Sequence, residues 1–245
     1  MVSKRIISQL RHGLRDVWNA YMVEDTEPQD WSDNDIPFCP TTAASPPTSL
    51  VSYSAAKTMH KKKLRSGERD YRVGAFIHCY IDDSKFDGPF NSIWRRPRKL
   101  LDIAEHYEGI IVPDFSTYVD FPDPIRRINV YRMRAFGRYA GRIGHQVVAN
   151  ARWGLPKTWS YDFDGLPKDS MIAIGTVGSG VRYVENRPLF EDGLRELVRR
   201  CEPRIIIVYG AASLPVFDEL RNQGISIVQF DSETCERFSE AVGHE

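Results

Sequence analysis

From residue 73 to residue 230 the chain repeats one pattern: a short apolar run, a stretch with helical spacing or a loop, then another apolar run. The runs lie at 73–81, 110–112, 146–150, 171–176, 204–209 and 225–230. None alternates cleanly between apolar and polar residues, as a strand with one wet face would. Helical spacing is predicted over 97–106, 124–143, 187–201 and 213–222. Pro124 and Pro188 sit in first turns, and Gly109, Gly144 and Gly224 serve as stops. The link between 150 and 171 has no helical spacing and reads as a loop excursion. Short buried strands alternating with helices predict an α/β fold with a mostly parallel sheet of about six strands and right-handed crossovers. A closed eight-stranded barrel needs two more strands, so the pattern suits an open sheet or an incomplete barrel.

The first 70 residues read differently, as an appendage to a single α/β domain over 71–245. Ile6, Ile7, Leu10, Leu14, Val17, Trp18 and Tyr21 recur at helical spacing, predicting an amphipathic helix over 3–23. An acidic stretch from Glu24 to Asp35 follows. Pro40-Thr-Thr-Ala-Ala-Ser-Pro-Pro-Thr-Ser49 reads as a linker or mobile loop, and Lys57-Thr-Met-His-Lys-Lys-Lys-Leu-Arg65 as a basic cluster.

Composition removes several classes. The 245 residues carry 33 basic and 33 acidic side chains, a formal net charge of zero, which excludes a globally basic nucleic-acid binder but not a local patch. No run reaches the roughly 20 apolar residues of a membrane helix, and the first residues lack an apolar signal core. A cytoplasmic setting with no membrane partner is therefore expected. Cys39, Cys79, Cys201 and Cys235 are far apart, with no Cys-x-x-Cys pair, and the six histidines form neither His-x-His nor His-Glu-x-x-His. There is thus no zinc signature. A carboxylate site for magnesium or manganese needs only acidic side chains gathered by the fold.

Ligands in parallel α/β folds sit beyond the carboxyl ends of the strands. That rule selects polar residues directly after apolar runs. Asp114 is the leading candidate, as general base or metal ligand, with Asp82 as a second metal ligand. Arg152 would clamp a carboxylate or phosphate, and Tyr209 would orient the substrate. Ser116, Asn150, Trp153 and Thr176 would line the same pocket. The competing reading for each is a helix cap or a turn. Gly175-Thr-Val-Gly-Ser-Gly180 lies between a strand and a helix but lacks the Lys-Ser or Lys-Thr of a P-loop. On the helix over 124–143, Arg127, Tyr131, Arg134, Arg138 and Arg142 fall within about a third of the wheel. They would form either a stripe for nucleic-acid phosphates or a solvated face paired with carboxylates.

Ile110-Ile-Val-Pro-Asp-Phe-Ser-x-Tyr118 resembles a segment of a bacterial and phage family, domain of unknown function 4417. Further pieces agree in order: Asn129-x-Tyr131-Arg132, Asn150-Ala-Arg-Trp153, Phe163-Asp-Gly165, Gly175-Thr176, Phe190-x-x-Gly193 and Val208-Tyr-Gly210. The resemblance covers roughly 70–230. It implies a phage- or mobile-element-type protein in a bacterial or phage-infected cell, and brings no activity with it. From the residue types, a hydrolase or phosphodiester-acting enzyme with a pocket for an anionic small molecule is expected. The alternatives are a non-catalytic nucleic-acid-binding accessory using the arginine-lined helix, and a protein-binding module using the N-terminal helix.

Overall fold

The computed structural model describes residues 19–24 and 28–232. Most of the helix expected over 3–23 lies outside them. Seven parallel strands run in sequence order across one sheet: β1 (Leu50–Ser52), β2 (Val73–His78), β3 (Tyr107–Ile111), β4 (Val147–Asn150), β5 (Met171–Gly175), β6 (Ile205–Tyr209) and β7 (Ser226–Phe230). The helices between them are α1 (Tyr53–Arg65), α2 (Ser84–Asp87), α3 (Arg98–Ala104), α4 (Asp123–Arg142), α5 (Trp159–Asp162), α6 (Arg187–Cys201) and α7 (Pro215–Asn222). The fold is α/β, an open curled sheet of half-barrel form with one strand more than the sequence pattern counted. β1 is only three residues long and lies inside the stretch read as an appendage. It pairs with β2, Leu50 opposite Phe76, so residues 50–65 supply the first strand and first helix of the sheet. The basic cluster 57–65 is accordingly helical, its N-terminus capped by Ser52.

Sequential order with one crossover hand places every helix on the same face of the sheet. The packing has that form. Core residues of α3, α4, α6 and α7 (Leu101, Phe136, Leu194 and Phe217 among them) join one apolar cluster with Ile77, Ile110, Ala149, Ile172 and Val208. A second cluster, without any helical residue, holds Phe76, Tyr80, Ile111, Val148, Ala173, Ile207 and Tyr209. Its members are the alternate residues of the same strands. Both faces are therefore apolar, which is why the strands show no polar alternation. Among the described residues no helix is long and apolar enough to cross a membrane.

The segment read as a linker is instead part of the sheet's construction. Cys39 packs in the helix-side cluster and Ala43 in the concave one, so the chain changes faces beside β4 and β5. Those two strands pair at only Ala149–Ile172 and Asn150–Ala173. Threonines occupy the gap. Thr41 Oγ1 donates to the Met171 carbonyl at 2.7 Å and accepts from the Ala149 N–H at 3.0 Å. Thr42 Oγ1 accepts from the Val147 N–H at 2.9 Å, and the Thr42 N–H donates to the Val147 carbonyl at 2.8 Å. Backbone groups that would otherwise be buried without partners are satisfied by side chains.

The arginine face of α4 is likewise occupied. Arg134 is fully buried, and donates to the carbonyls of Asn150, Asp162 and Asp164, each at 2.8 Å. Arg138 pairs with Asp30 at 3.1 Å. Arg142 donates to the carbonyls of Tyr21 and Glu24. Arg127 lies over the Tyr161 ring, 4.3 Å from its centroid, and donates to Asn34. Tyr131 stacks near Trp31 at 6.4 Å. The face read as either a nucleic-acid stripe or a solvated face instead receives Tyr21, Glu24, Asp30, Trp31, Asn34 and Phe38, because a wheel projection cannot show which polar face another segment will cover.

Candidate functional site

The carboxyl ends of β2, β3 and β4 carry a buried polar chain. Phe76 and His78 of β2 and Tyr80, two residues past its end, share one side by the two-residue period of an extended chain. Tyr80 Oη donates to Asn150 Oδ1 at 2.8 Å, Asn150 Nδ2 donates to Asp114 Oδ1 at 3.0 Å, and Arg152 Nε meets the same Asp114 oxygen at 3.2 Å. Burial holds the Tyr80 phenol far above its usual pKa, with the Asp114 charge adding to the effect. Tyr80 therefore remains a donor. His78 is pushed down to about 3 by burial, and its Nδ1 accepts from the Tyr80 N–H at 3.1 Å. Its ring lies 4.3 Å from that of Tyr209, which stacks on Tyr80 at 5.1 Å. A Cβ on Gly175 would stand 2.9 Å from the Tyr80 ring. Only glycine lets that ring lie on β5.

Asp114 and Arg152 thus come together, as the strand-end rule anticipates, and the carboxylate orients the guanidinium. Asn150 is the buried relay between Tyr80 and Asp114. Thr176 is used internally, its N–H donating to the Tyr209 carbonyl at 3.0 Å. Ser116 is tied to Asp83, by its N–H at 3.1 Å and its Oγ at 2.8 Å, while its carbonyl accepts from Asn129. The Asp83 carboxyl has a raised pKa, chiefly through burial, against the two Ser116 bonds and with the charges of Asp114 and Asp87 adding. Asp82, the expected second metal ligand, turns away to accept from the Ser84 N–H at 2.8 Å. Among the described residues no three His, Cys, Asp or Glu side chains gather as a metal site would require. Arg132 finds its acidic partner in Asp87, and its guanidinium lies over Phe115.

Beside this chain lies a cleft of about 240 Å³. Residues 117–119 after β3, 151–153 after β4, Gly175 at the end of β5 and 178–180 beyond it line the cleft, with Asn186, Leu189 and Phe190 at the start of α6. Arg152 and Trp153 are its contribution from the expected site. Trp153 is held by Phe190 at 5.2 Å and Phe163 at 6.0 Å. A Cβ on Gly193 would fall 2.1 Å from its indole, so the glycine of Phe190-x-x-Gly193 is the space the indole occupies. The walls at 117–119, Ser179, Asn186 and Leu189 carry no motif; only their position after strands could have singled them out. Tyr80 was not singled out; the two-residue spacing it shares with Phe76 and His78 was the signal that could have found it. A larger polar groove of about 600 Å³, with Arg72, Arg98, Glu105, Glu108 and His145, lies at the opposite, amino ends of the strands.

The chain is similar to known proteins. The "Gene 1 protein" of Mycobacterium phage L5 is 35% identical over 167 residues, 67% of this chain and 68% of that protein. The "Gene 1 protein" of Mycobacterium phage D29 is 34% identical over 144 residues, 58% of this chain and 52% of that protein, so the match spans about half the D29 protein's length. No solved structure matches. Residues 32–231 match the family described as Domain of unknown function (DUF4417), a span that starts before β1 and ends just after β7, and the chain belongs to that family.

Proposed function

We propose that the cleft binds the anionic group of a phosphate-bearing substrate and that this phage-type protein is a hydrolase or phosphodiester-acting enzyme. One observation carries the reading. Arg152 is held by its Nε on Asp114, while its two terminal nitrogens make no hydrogen bond or ion pair with any described residue and its side chain lines the cleft. A guanidinium fixed at one edge presents its other edge as a fork for phosphate or carboxylate oxygens. Across the cleft, the glycine-rich turn 175–180 lets a ligand approach the backbone closely. Asp83, bound to Ser116 next to the cleft residue Thr117, has a carboxyl that holds its proton more tightly than usual and is suited to proton transfer. The helix-based nucleic-acid alternative has less support, because its arginines already hold protein groups.

Calorimetric titration with inorganic phosphate tests the anion site. The wild type is expected to bind, and Arg152→Gln to weaken binding at least about tenfold. Asp114→Asn should weaken it as well while the fold survives, at a cost of about 1–3 kcal/mol for the lost charged partner. Phosphate binding that is indifferent to Arg152, or absent, overturns the reading. Hydrolysis of a chromogenic phosphodiester, with and without Mg²⁺ or Mn²⁺, tests the chemistry.

A further inference from the structure

We infer that the cleft's ligand is a nucleoside phosphate with an amino-bearing base, either free or as the terminal nucleotide of a strand. The inference rests on the reading of Arg152 as an anion site. Apart from that arginine, the cleft is mostly apolar, and Trp153 gives it one flat wall. Trp153 presents an indole that Phe163, Phe190 and the missing Cβ of Gly193 hold in place. Leu189 and Tyr118 complete the slot. A rigid aromatic wall next to a fixed guanidinium suits a planar ring joined to an anionic group, the ring stacking while the phosphate takes the fork. The volume, about 240 Å³, lies just under the ~300–1,000 Å³ of drug-sized pockets, which limits the occupant to one nucleotide.

The polar side chains at the slot's rim narrow the base. Ser179 Oγ spends its hydrogen on the Thr176 carbonyl at 2.6 Å. Asn186 Nδ2 donates to the Gly180 carbonyl at 3.3 Å. What Ser179 then offers the cleft is lone pairs, and Asn186 adds its carbonyl oxygen together with its second amide hydrogen. Acceptors at that edge pair with exocyclic amines, which adenine, cytosine and guanine carry and uracil lacks.

The test is calorimetry on the full chain with inorganic phosphate, adenosine, AMP, CMP, UMP and a short oligoadenylate. AMP and CMP should bind at least tenfold more tightly than phosphate and several-fold more tightly than UMP. Arg152→Gln should weaken phosphate and AMP alike. Asn186→Ala and Ser179→Ala, on the rim, should reduce the preference for AMP over UMP and leave phosphate affinity unchanged, with melting temperatures checking each fold. The oligonucleotide binding as tightly as AMP identifies a strand end; AMP binding more tightly identifies a free nucleotide. Phosphate bound through Arg152, with AMP no tighter, overturns this inference and leaves the anion site standing. No binding of phosphate or any nucleotide overturns both. AMP affinity that ignores Arg152 places the nucleotide elsewhere and overturns the inference.

Discussion

Individual residues in this protein work by being buried with a fixed partner, and His78 shows the consequence for pH. Its ring is 1% exposed, and the bond from the Tyr80 N–H to Nδ1 requires the neutral form. The folded value is about 3, against an ordinary 6.5. In the unfolded chain the imidazole takes a proton below pH 6.5, while in the folded chain it does not. Its contribution is therefore complete above pH 6.5 and is lost as the pH falls through the window from 6.5 toward 3. The slope from this one group approaches ~1.4 kcal/mol per pH unit. Urea unfolding of wild type and His78→Gln should show a stability gap that narrows by roughly 2 kcal/mol between pH 7 and pH 5. A gap of constant size would remove His78 as the source. The same burial explains why Tyr209, expected to orient a substrate, is stacked into the concave face instead.

Elements in this fold depend on segments that have no regular structure. β4 and β5 meet at two residue pairs, and Thr41 and Thr42 complete the hydrogen bonding that the strands do not give each other. Thr41→Val keeps the shape and removes both hydroxyl bonds. It leaves the Ala149 N–H and the Met171 carbonyl without that partner. A loss of about 2–3 kcal/mol is expected, together with faster hydrogen exchange at the Ala149 amide. A change under ~0.5 kcal/mol would mean that the two strands close the gap themselves. Helix boundaries were legible because Pro and Gly act locally: α4 begins with Asp123-Pro124, and Gly144, at φ 101°, follows its end. Thr41 and Thr42 were not legible, since a threonine in a Pro/Ser/Thr-rich stretch looks the same whether it faces water or a strand.

At the scale of the whole molecule, the described part of the N-terminal segment packs into the same core as the sheet. Met22, Ile36 and Cys39 are essentially fully buried in the helix-side core. At about 1.5–3 kcal/mol for each large apolar side chain, their loss approaches the 5–15 kcal/mol stability of a typical domain. Removing residues 1–43 should therefore abolish cooperative unfolding and near-ultraviolet circular dichroism. A truncated chain that melts at the wild-type midpoint would show the segment to be dispensable. The half-barrel leaves its strand carboxyl ends accessible from one side. The cleft formed there by the loops after β3, β4 and β5 is the proposed site.

What the amino-acid sequence by itself determined was the repeat of strand and helix, the parallel sheet and the end of it where Asp114 and Arg152 lie. Those features rest on local preferences: apolar runs, helical spacing, proline at helix starts and glycine at helix ends. Tertiary structure alone decided which polar residues meet. Asp83 rather than Asp82 takes Ser116, Asp87 pairs with Arg132, Arg134 is buried on three carbonyls, and a three-residue strand at 50–52 completes the sheet. Each of those pairings joins segments distant in sequence. Its energy comes from excluding water between the partners, a property of the assembled fold that neither residue carries alone.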